Sequence, residues 1–226
     1  MEKDKIAEII ENITGKSDDL TNYSLVKDRL VARLINSAAN KEKLERLVSL
    51  NFFDLAIIFS IIVDQDRNTV ISIPVTKKMA EEWLTDSEEL LNDSINNMDV
   101  LCPPSICTIT DMLRNLGSGL DEAELDTPPL YVITNQNNNF GAASILLPRV
   151  METASDMIKE NFWVIPSSIH EMLLIPESYG QDKSELENMV YGINRTQVAA
   201  EEVLSDHVYY YNIETGDFAA NRMEVS

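Results

Sequence analysis

The chain has 226 residues, 44% of them hydrophobic, and its 38 acidic and 18 basic side chains give a net charge of −20. A surface so acidic is repelled by phosphate backbones and anionic lipid, so we expect neither direct nucleic-acid binding nor membrane association. No apolar run is long enough to cross a bilayer, and the charged start MEKDKIAEII does not resemble a signal peptide. These features predict a soluble cytoplasmic protein.

The first 25 residues predict a helix followed by a polar linker. Isoleucines recur there at helical spacing and Gly15 ends the pattern. We therefore divide the chain into residues 1–25, the helix and linker, and residues 26–226, a single domain. In residues 25–35 the alternation of apolar and polar side chains favours a strand, although a helix through Leu30, Val31, Leu34 and Ile35 remains possible.

A pattern of strand, turn, strand and helix begins at residue 55. The apolar run 55–63 predicts a central strand, 64–68 a turn, and 69–73 a return strand that Pro74 ends. The next helix carries apolar residues on one side: Met79, Ala80, Trp83 and Leu84. A second helix is expected to begin at Ser87 as its N-cap, as Asn40 does for a short earlier helix. The six acids between residues 81 and 93 are interpreted as a solvated helical face.

The same order recurs twice. Residues 130–134, 135–141 and 142–147 predict strand, turn and return strand, closed by Pro148. The helix that follows carries Val150, Met151, Ala154, Met157 and Ile158. Residues 162–165, 166–168 and 169–175 repeat the hairpin, closed by Pro176. The last helix carries Leu186, Met189, Val190 and Ile193, and a final strand is predicted over residues 207–211.

These repeats predict an α+β fold with a largely antiparallel sheet built from hairpin-then-helix (ββα) units. The loop at residues 117–129 is rich in Gly, Pro and acids. Because the hairpins before and after that loop are alike, we expect one sheet to continue across it.

Candidate catalytic residues are few. His170, Glu171 and His207 are the candidates for acid–base chemistry. The pair His170–Glu171 resembles the start of the zinc-protease pattern HExxH, but Leu174 stands where the second histidine is required. A serine–histidine–acid triad can be written from several combinations of Ser167, Ser168, His170, His207, Glu171 and Asp206, without a nucleophile-elbow motif to support it.

No metal site and no cofactor is predicted. Two histidines cannot form a His-rich site, and the spacing of Cys102 and Cys107 with prolines between them favours buried thiols over zinc ligands. The glycines are too scattered for a phosphate-binding loop.

Two groups of polar residues are candidate binding residues. They comprise Ser167 and Ser168 in the third hairpin and Asn194, Arg195 and Gln197 after the helix. The second group has two interpretations, a ligand-facing corner or a hydrogen-bonded cluster that pins the tail. We favour the cluster, because buried polar groups need hydrogen-bond partners.

Four segments carry a resemblance to a known family: LYVITN, FGAASILLP, FWVIPSSIHEMLLIP and GINRTQVAAEEVLSDHVYYYNIETG. They resemble a bacterial domain-of-unknown-function family that occurs in many copies in anaerobic gut bacteria, with patterns such as LPSS-hydrophobic-HE and NRTQVAPEEVLSDHVY. Ala200 stands where the family usually has proline, and family members often carry a further N-terminal region. The resemblance implies no activity, cofactor or catalytic residue.

For function we expect a non-enzymatic binding or regulatory module that meets a protein partner through a sheet face or its acidic surface. One alternative is a hydrolase-like enzyme that uses His170 or His207 as acid or base. The other alternative is an acidic mimic of nucleic acid, which the net charge alone suggests.

Overall fold

The structure is a computed structural model that describes residues 20–65, 70–111, 130–179 and 182–220. Its strands are β1 Leu30–Asn36, β2 Ser49–Phe52, β3 Leu55–Gln65, β4 Val70–Pro74, β5 Pro104–Thr108, β6 Tyr131–Asn135, β7 Phe162–Ser168, β8 Glu171–Pro176, β9 Tyr209–Asn212 and β10 Asp217–Ala219. Its α-helices are α1 Tyr23–Val26, α2 Lys41–Leu44, α3 Lys77–Trp83, α4 Ser87–Leu101, α5 Pro148–Ile158 and α6 Lys183–Thr196. Short 3-10 helices cover Lys27–Arg29, Gly141–Leu146 and Glu177–Tyr179. The predicted N-terminal helix and the 117–129 loop lie outside the described residues.

The described strands form two antiparallel sheets, which confirms the α+β class. In the first sheet the order is β1-β3-β2, and β4 also pairs with β3. β3 is its central strand, as the apolar run predicts, and its first eight residues are buried. The ambiguous segment is a strand, with Arg33 of β1 opposite Ile58 of β3.

The second sheet has the order β10-β9-β7-β8-β6-β5. The prediction of one sheet shared by the hairpins is therefore wrong, since β3 and β4 belong to the first sheet and the third hairpin belongs to the second. Strands β5 and β6, on either side of residues 109–130, do pair with each other. The hydrophobic pattern of the sequence identifies strands, but it does not determine which strands pair with each other.

The third hairpin turns later than predicted. Pro166, Ser167 and Ser168 continue β7, and the turn is formed by Ile169 and His170. The β7–β8 register shifts between Ile165 and Ser168, an irregularity that accommodates a proline without a ladder N–H. Alternate side chains of β8 lie on opposite faces of the sheet: Met172 and Leu174 belong to the main core, and Leu173 and Ile175 pack in a smaller cluster under α6.

The middle repeat is not a hairpin. Residues 142–147, predicted as a return strand, are almost entirely the 3-10 helix Gly141–Leu146, which contacts β1, β6 and β8. Four consecutive residues, Ala142 to Ile145, are buried there. A strand would turn alternate side chains to opposite faces, whereas this compact helix buries all of them in the space between the two sheets. The repeated ββα unit is therefore not observed in this part of the chain.

Several details of the helices also differ. Asp86, not Ser87, is the N-cap of α4, and its Oδ1 accepts hydrogen bonds from the amides of Glu88 and Glu89. Asn40 occupies the N-cap position of α2, as predicted, but its side chain makes no capping hydrogen bond and its amide donates to the Asn36 carbonyl, 2.9 Å away. Leu84 is 92% exposed because α3 ends in a left-handed residue there.

One large apolar cluster takes side chains from both sheets, including Phe59 of β3, Phe162 of β7 and Tyr209 of β9. The division at residue 25 and the single domain over 26–226 stay predictions. None of the helices in the described part of the chain combines the length and apolar character that crossing a bilayer requires.

Candidate functional site

An apolar groove opens on the face of the second sheet beside helix α6. Its volume is about 400 Å³. It is lined by strand residues Ile165, Ser167, Leu173 and Ile175, by Ile109 and Leu130 at the ends of β5 and β6, and by helix residues Met189, Val190, Ile193 and Asn194. We call this surface the α6 groove.

The groove exists because α6 covers only part of the sheet. Leu186 and Val190 are buried against Trp163 and Ile175. The other two members of the predicted apolar stripe, Met189 and Ile193, are 42% and 39% exposed. Half of the apolar stripe of α6 therefore packs on the sheet. The other half remains partly exposed and forms one wall of the groove.

Two of the binding candidates meet in this groove. Ser167 lines it from β7, and its hydroxyl donates to Glu171 Oε1 at 3.4 Å. Asn194 lines it from α6 and is 4% exposed. Its side-chain amide donates to the Ser205 carbonyl and to Asp206 Oδ1, both at 2.9 Å.

The remaining binding candidates lie outside the groove. Arg195 holds Asp206 through two hydrogen bonds of 2.9 and 3.3 Å, so with Asn194 it ties α6 to the tail, as the cluster interpretation predicts. These contacts outweigh the cost of burial and keep the pKa of Asp206 below its usual value. Ser168 Oγ accepts from the His170 amide at 3.1 Å, and the Gln197 amide donates to the Ile193 carbonyl. A ligand-binding role for any of these residues stays a prediction.

His170 lies in the β7–β8 turn with both ring nitrogens engaged. Its Nδ1 accepts from the Phe140 amide at 3.3 Å, and its Nε2 is 3.4 Å from Glu202 Oε1. Because Nδ1 accepts, the neutral ring carries its proton on Nε2, toward the carboxylate. This geometry orients the imidazole.

His207 lies elsewhere, 62% exposed, with Nδ1 3.1 Å from Glu187 Oε1. Its amide donates to Ser205 Oγ at 2.8 Å. Among the described residues no serine hydroxyl hydrogen-bonds to either imidazole ring, so the structure does not assemble the triads written from the sequence. Catalytic roles for His170, Glu171 and His207 stay predictions.

The cysteines are separate half-buried thiols. Burial raises the pKa of Cys102 to about 11, and burial together with Asp111 and Glu171 raises the pKa of Cys107. Within the described ranges no three His, Cys, Asp or Glu side chains are grouped closely enough to hold a metal ion.

Several acids of the 81–93 segment are engaged within the fold. Asp86 caps α4, Glu82 pairs with Lys78 at 3.7 Å, and Asp93 accepts from the Tyr23 hydroxyl at 2.7 Å. The roles suggested for this surface, as a partner-binding face or a nucleic-acid mimic, stay predictions.

Sequence reasoning missed the strand and loop residues of the groove. Leu173 and Ile165 were recognised as strand residues, but alternation does not show that a helix leaves them partly uncovered. Ile109 and Leu130 come together only because the Ile109 amide donates to the Leu130 carbonyl at 2.7 Å, across residues distant in the chain.

Comparison with known proteins places these features in a family. No curated protein and no solved structure matches the chain. One family model matches residues 3–213, a range that includes the α6 groove and both histidines. The chain therefore belongs to DUF5688, a family of unknown function.

Proposed function

We propose that the protein is a non-enzymatic binding module whose α6 groove takes an apolar, helix-forming segment of a partner protein that carries basic residues. The observation that carries this proposal is the exposed half of the α6 stripe, Met189 and Ile193, facing aliphatic side chains of β7 and β8.

The lining suits an apolar segment. Its side chains are aliphatic apart from Ser167 and Asn194, and each Å² of apolar surface removed from water is worth about 25 cal/mol. Methionine has a flexible, polarisable side chain that adapts to differently shaped apolar partners. An amphipathic helix presents apolar residues at i, i+3 or i+4 and i+7 to such a groove.

The size of the groove also limits the partner. At about 400 Å³ it is comparable to a single ligand pocket. A stable interface between two folded domains buries about 800 Å² on each side. The groove is therefore suited to anchoring a short segment, with the rest of the partner bound more loosely around it.

Charge favours a basic partner. The net charge of −20 raises the rate at which cationic segments approach. Glu171 lies beside the groove, and within the described residues its carboxylate accepts the Ser167 hydroxyl and forms no ion pair. A lysine next to the apolar face of a bound segment has this carboxylate as its counter-charge.

The test uses a defined peptide. A labelled Leu/Lys peptide of about 15 residues, with leucines at helical spacing, is titrated against the full chain by fluorescence anisotropy. The variant Met189→Asp places a carboxylate on the groove wall. The matched control is Met157→Asp, because Met157 is also a helical methionine, 39% exposed, and lies on α5. We expect Met189→Asp to weaken binding by about tenfold or more and Met157→Asp to bind like the native chain.

Two further peptides separate groove binding from simple charge attraction. A scrambled peptide of the same composition loses the apolar face, and a Leu/Glu peptide loses the positive charge; both should bind more weakly than the Leu/Lys peptide. Equal binding of the scrambled peptide, or equal loss in the two methionine variants, would show that charge alone drives the association and would contradict the proposal.

A further inference from the structure

A half-buried arginine on β1 has no charged partner among the described residues. The guanidinium carbon of Arg33 lies 3.7 Å from the centre of the Phe140 ring. In the part of the chain that the structure describes, the guanidinium forms no ion pair and donates no hydrogen bond. Arginine carries five N–H donors and is charged at neutral pH, so this is an unusual environment for it.

Arg33 and Phe140 line a small cavity, and the described residues around it are uncharged apart from Arg33. The cavity volume is about 20 Å³, and the wall includes Gln65, Cys102, Asn137, Asn139 and Phe140, with no carboxylate among the lining residues. The side-chain amides of Asn137 and Asn139 make no hydrogen bond with any described residue. We call this site the Arg33 cup.

The cup is held in place by the loop between β6 and the 3-10 helix. Asn135 Oδ1 accepts from the amides of Asn137 and Asn139 at 3.1 and 3.2 Å, and its Nδ2 donates to the Asn139 carbonyl at 2.8 Å. Phe140 has a left-handed backbone, φ 53°, a conformation that is unfavourable for a bulky residue. Its amide is bonded to His170 Nδ1. The surrounding fold therefore maintains a strained residue whose ring covers the guanidinium.

The energetics leave Arg33 incompletely satisfied. Removing a cation from water is unfavourable even after relaxation, and a cation–π contact offsets only part of that cost. Burial lowers the pKa of Arg33 to about 10, so it still carries its charge at neutral pH. The ring covers one face of the guanidinium, while the N–H donors in its plane have no acceptor from the described residues.

We propose that the Arg33 cup binds a small oxyanion, the carboxylate or phosphate end group of a ligand. The planar guanidinium pairs two N–H groups with two oxygens of such a group. The side-chain amides of Asn137 and Asn139 supply further donors at the same cavity. A volume of about 20 Å³ admits an atom or two of the end group, so the body of the ligand lies outside the cavity.

The test measures thermal unfolding of the full chain at neutral pH and constant ionic strength, with chloride replaced by acetate in one arm and by inorganic phosphate in the other. Constant ionic strength keeps the general screening of the net negative charge equal in all arms, so screening does not contribute to a difference in Tm. We expect a rise in Tm of about 3 °C for the native chain in at least one arm. A rise in Tm with acetate alone identifies a carboxylate site, and a rise with phosphate alone identifies a phosphate site.

Three variants decide whether the cup is responsible. Arg33→Met should abolish the rise in Tm. Arg33→Lys keeps the charge but loses the paired donors, and should reduce the rise. The matched control Arg149→Met removes an exposed arginine that is already paired with Asp99, and should leave the rise unchanged.

The proposal is overturned if neither anion raises Tm, or if Arg33→Met responds like the native chain. Should Arg33→Met fail to fold, NMR titration of the native chain replaces it as the test. Acetate or phosphate must then shift the Arg33 side-chain Nε–H signal more than that of Arg149, and an equal shift of both signals contradicts the proposal.

Discussion

Two charged residues of the first sheet, Asp54 and Arg33, are both half-buried against the second part of the chain, and they differ in their partners. Asp54, at the β2–β3 turn, accepts the hydroxyls of Ser205 and Tyr209, both at 2.6 Å. The guanidinium of Arg33 packs against the ring of Phe140 and, within the described residues, has no hydrogen-bond acceptor. The charge of Asp54 is satisfied by the chain itself, whereas the charge of Arg33 has no acceptor in the part of the chain that the structure describes.

The surroundings of Asp54 explain its role. Tyr209 is 2% exposed, and its ring stacks on Phe53 with centroids 4.8 Å apart. Burial and the hydrogen bond to Asp54 raise the pKa of Tyr209, so the hydroxyl remains a donor across the neutral range. Asp54 therefore acts as a structural link between the first sheet and the tail. Arg33 has no such acceptor among the described residues, and we therefore interpret it as a binding site for an anionic ligand.

The largest expected effect is at Gly141, which supports the cup. A Cβ there would lie 2.4 Å from Thr134 Oγ1 and 2.6 Å from both the Asn135 amide nitrogen and the His170 carbonyl oxygen. Two of these contacts are backbone atoms, which cannot move aside cheaply. We expect Gly141→Ala to destabilise the fold by about 3 kcal/mol, measured by urea unfolding.

Its control is Gly192→Ala in α6, where the added Cβ meets no atom within 4 Å. Alanine should stabilise this helix position by about 0.5–1 kcal/mol. If both glycine variants lose the same free energy of unfolding, the tight packing at Gly141 does not account for the destabilisation.

Removing the carboxylate of Asp54 should have the next largest effect. Asp54→Ala leaves the buried hydroxyls of Ser205 and Tyr209 without their acceptor, and an unsatisfied buried polar group costs about 1–3 kcal/mol. We expect a loss of about 2–3 kcal/mol in the free energy of unfolding, measured by urea titration. The exposed Asp217→Ala should stay within about 0.5 kcal/mol. A loss below that level for Asp54→Ala would contradict its role as a structural link.

The smallest effect on stability is expected for Arg33→Met. Methionine fills a similar volume without a charge to desolvate, and such replacements of buried charges are often neutral or stabilising by 1–4 kcal/mol, roughly. Loss of the Phe140 contact offsets this gain, so we expect a change within about 1 kcal/mol. A destabilisation as large as that of Asp54→Ala, by the same urea measurement, would show that Arg33 is a structural residue like Asp54 and would remove the contrast between them.

Much of the local structure was predictable. The apolar run of β3, the stripes of α5 and α6 and the strand-ending prolines Pro74 and Pro176 all agree with the structure, because periodicity and the missing N–H of proline act within a few residues. The exposed positions of Met189 and Ile193 were not predictable, since the stripe indicates which side is apolar but not how much of it the sheet covers.

The candidate sites depend on contacts between residues distant in the chain. Ser167 and Asn194 were selected for their polarity, and only the packing of α6 on β7 and β8 places them in one groove. Neither Arg33 nor Phe140 was singled out by a functional sequence motif. Their contact forms only because the loop after β6 reaches β1.

By itself, the sequence determined the α+β class, the acidic surface, the principal strands and helices and the membership in DUF5688. Tertiary structure alone decided that the strands form two sheets, that residues 141–146 are a buried 3-10 helix, and that Asp54 meets Ser205 across 151 positions. The physical reason is that hydrophobic periodicity and turn chemistry depend on neighbours in the sequence, whereas strand pairing and the burial of a charge depend on which distant surfaces pack together.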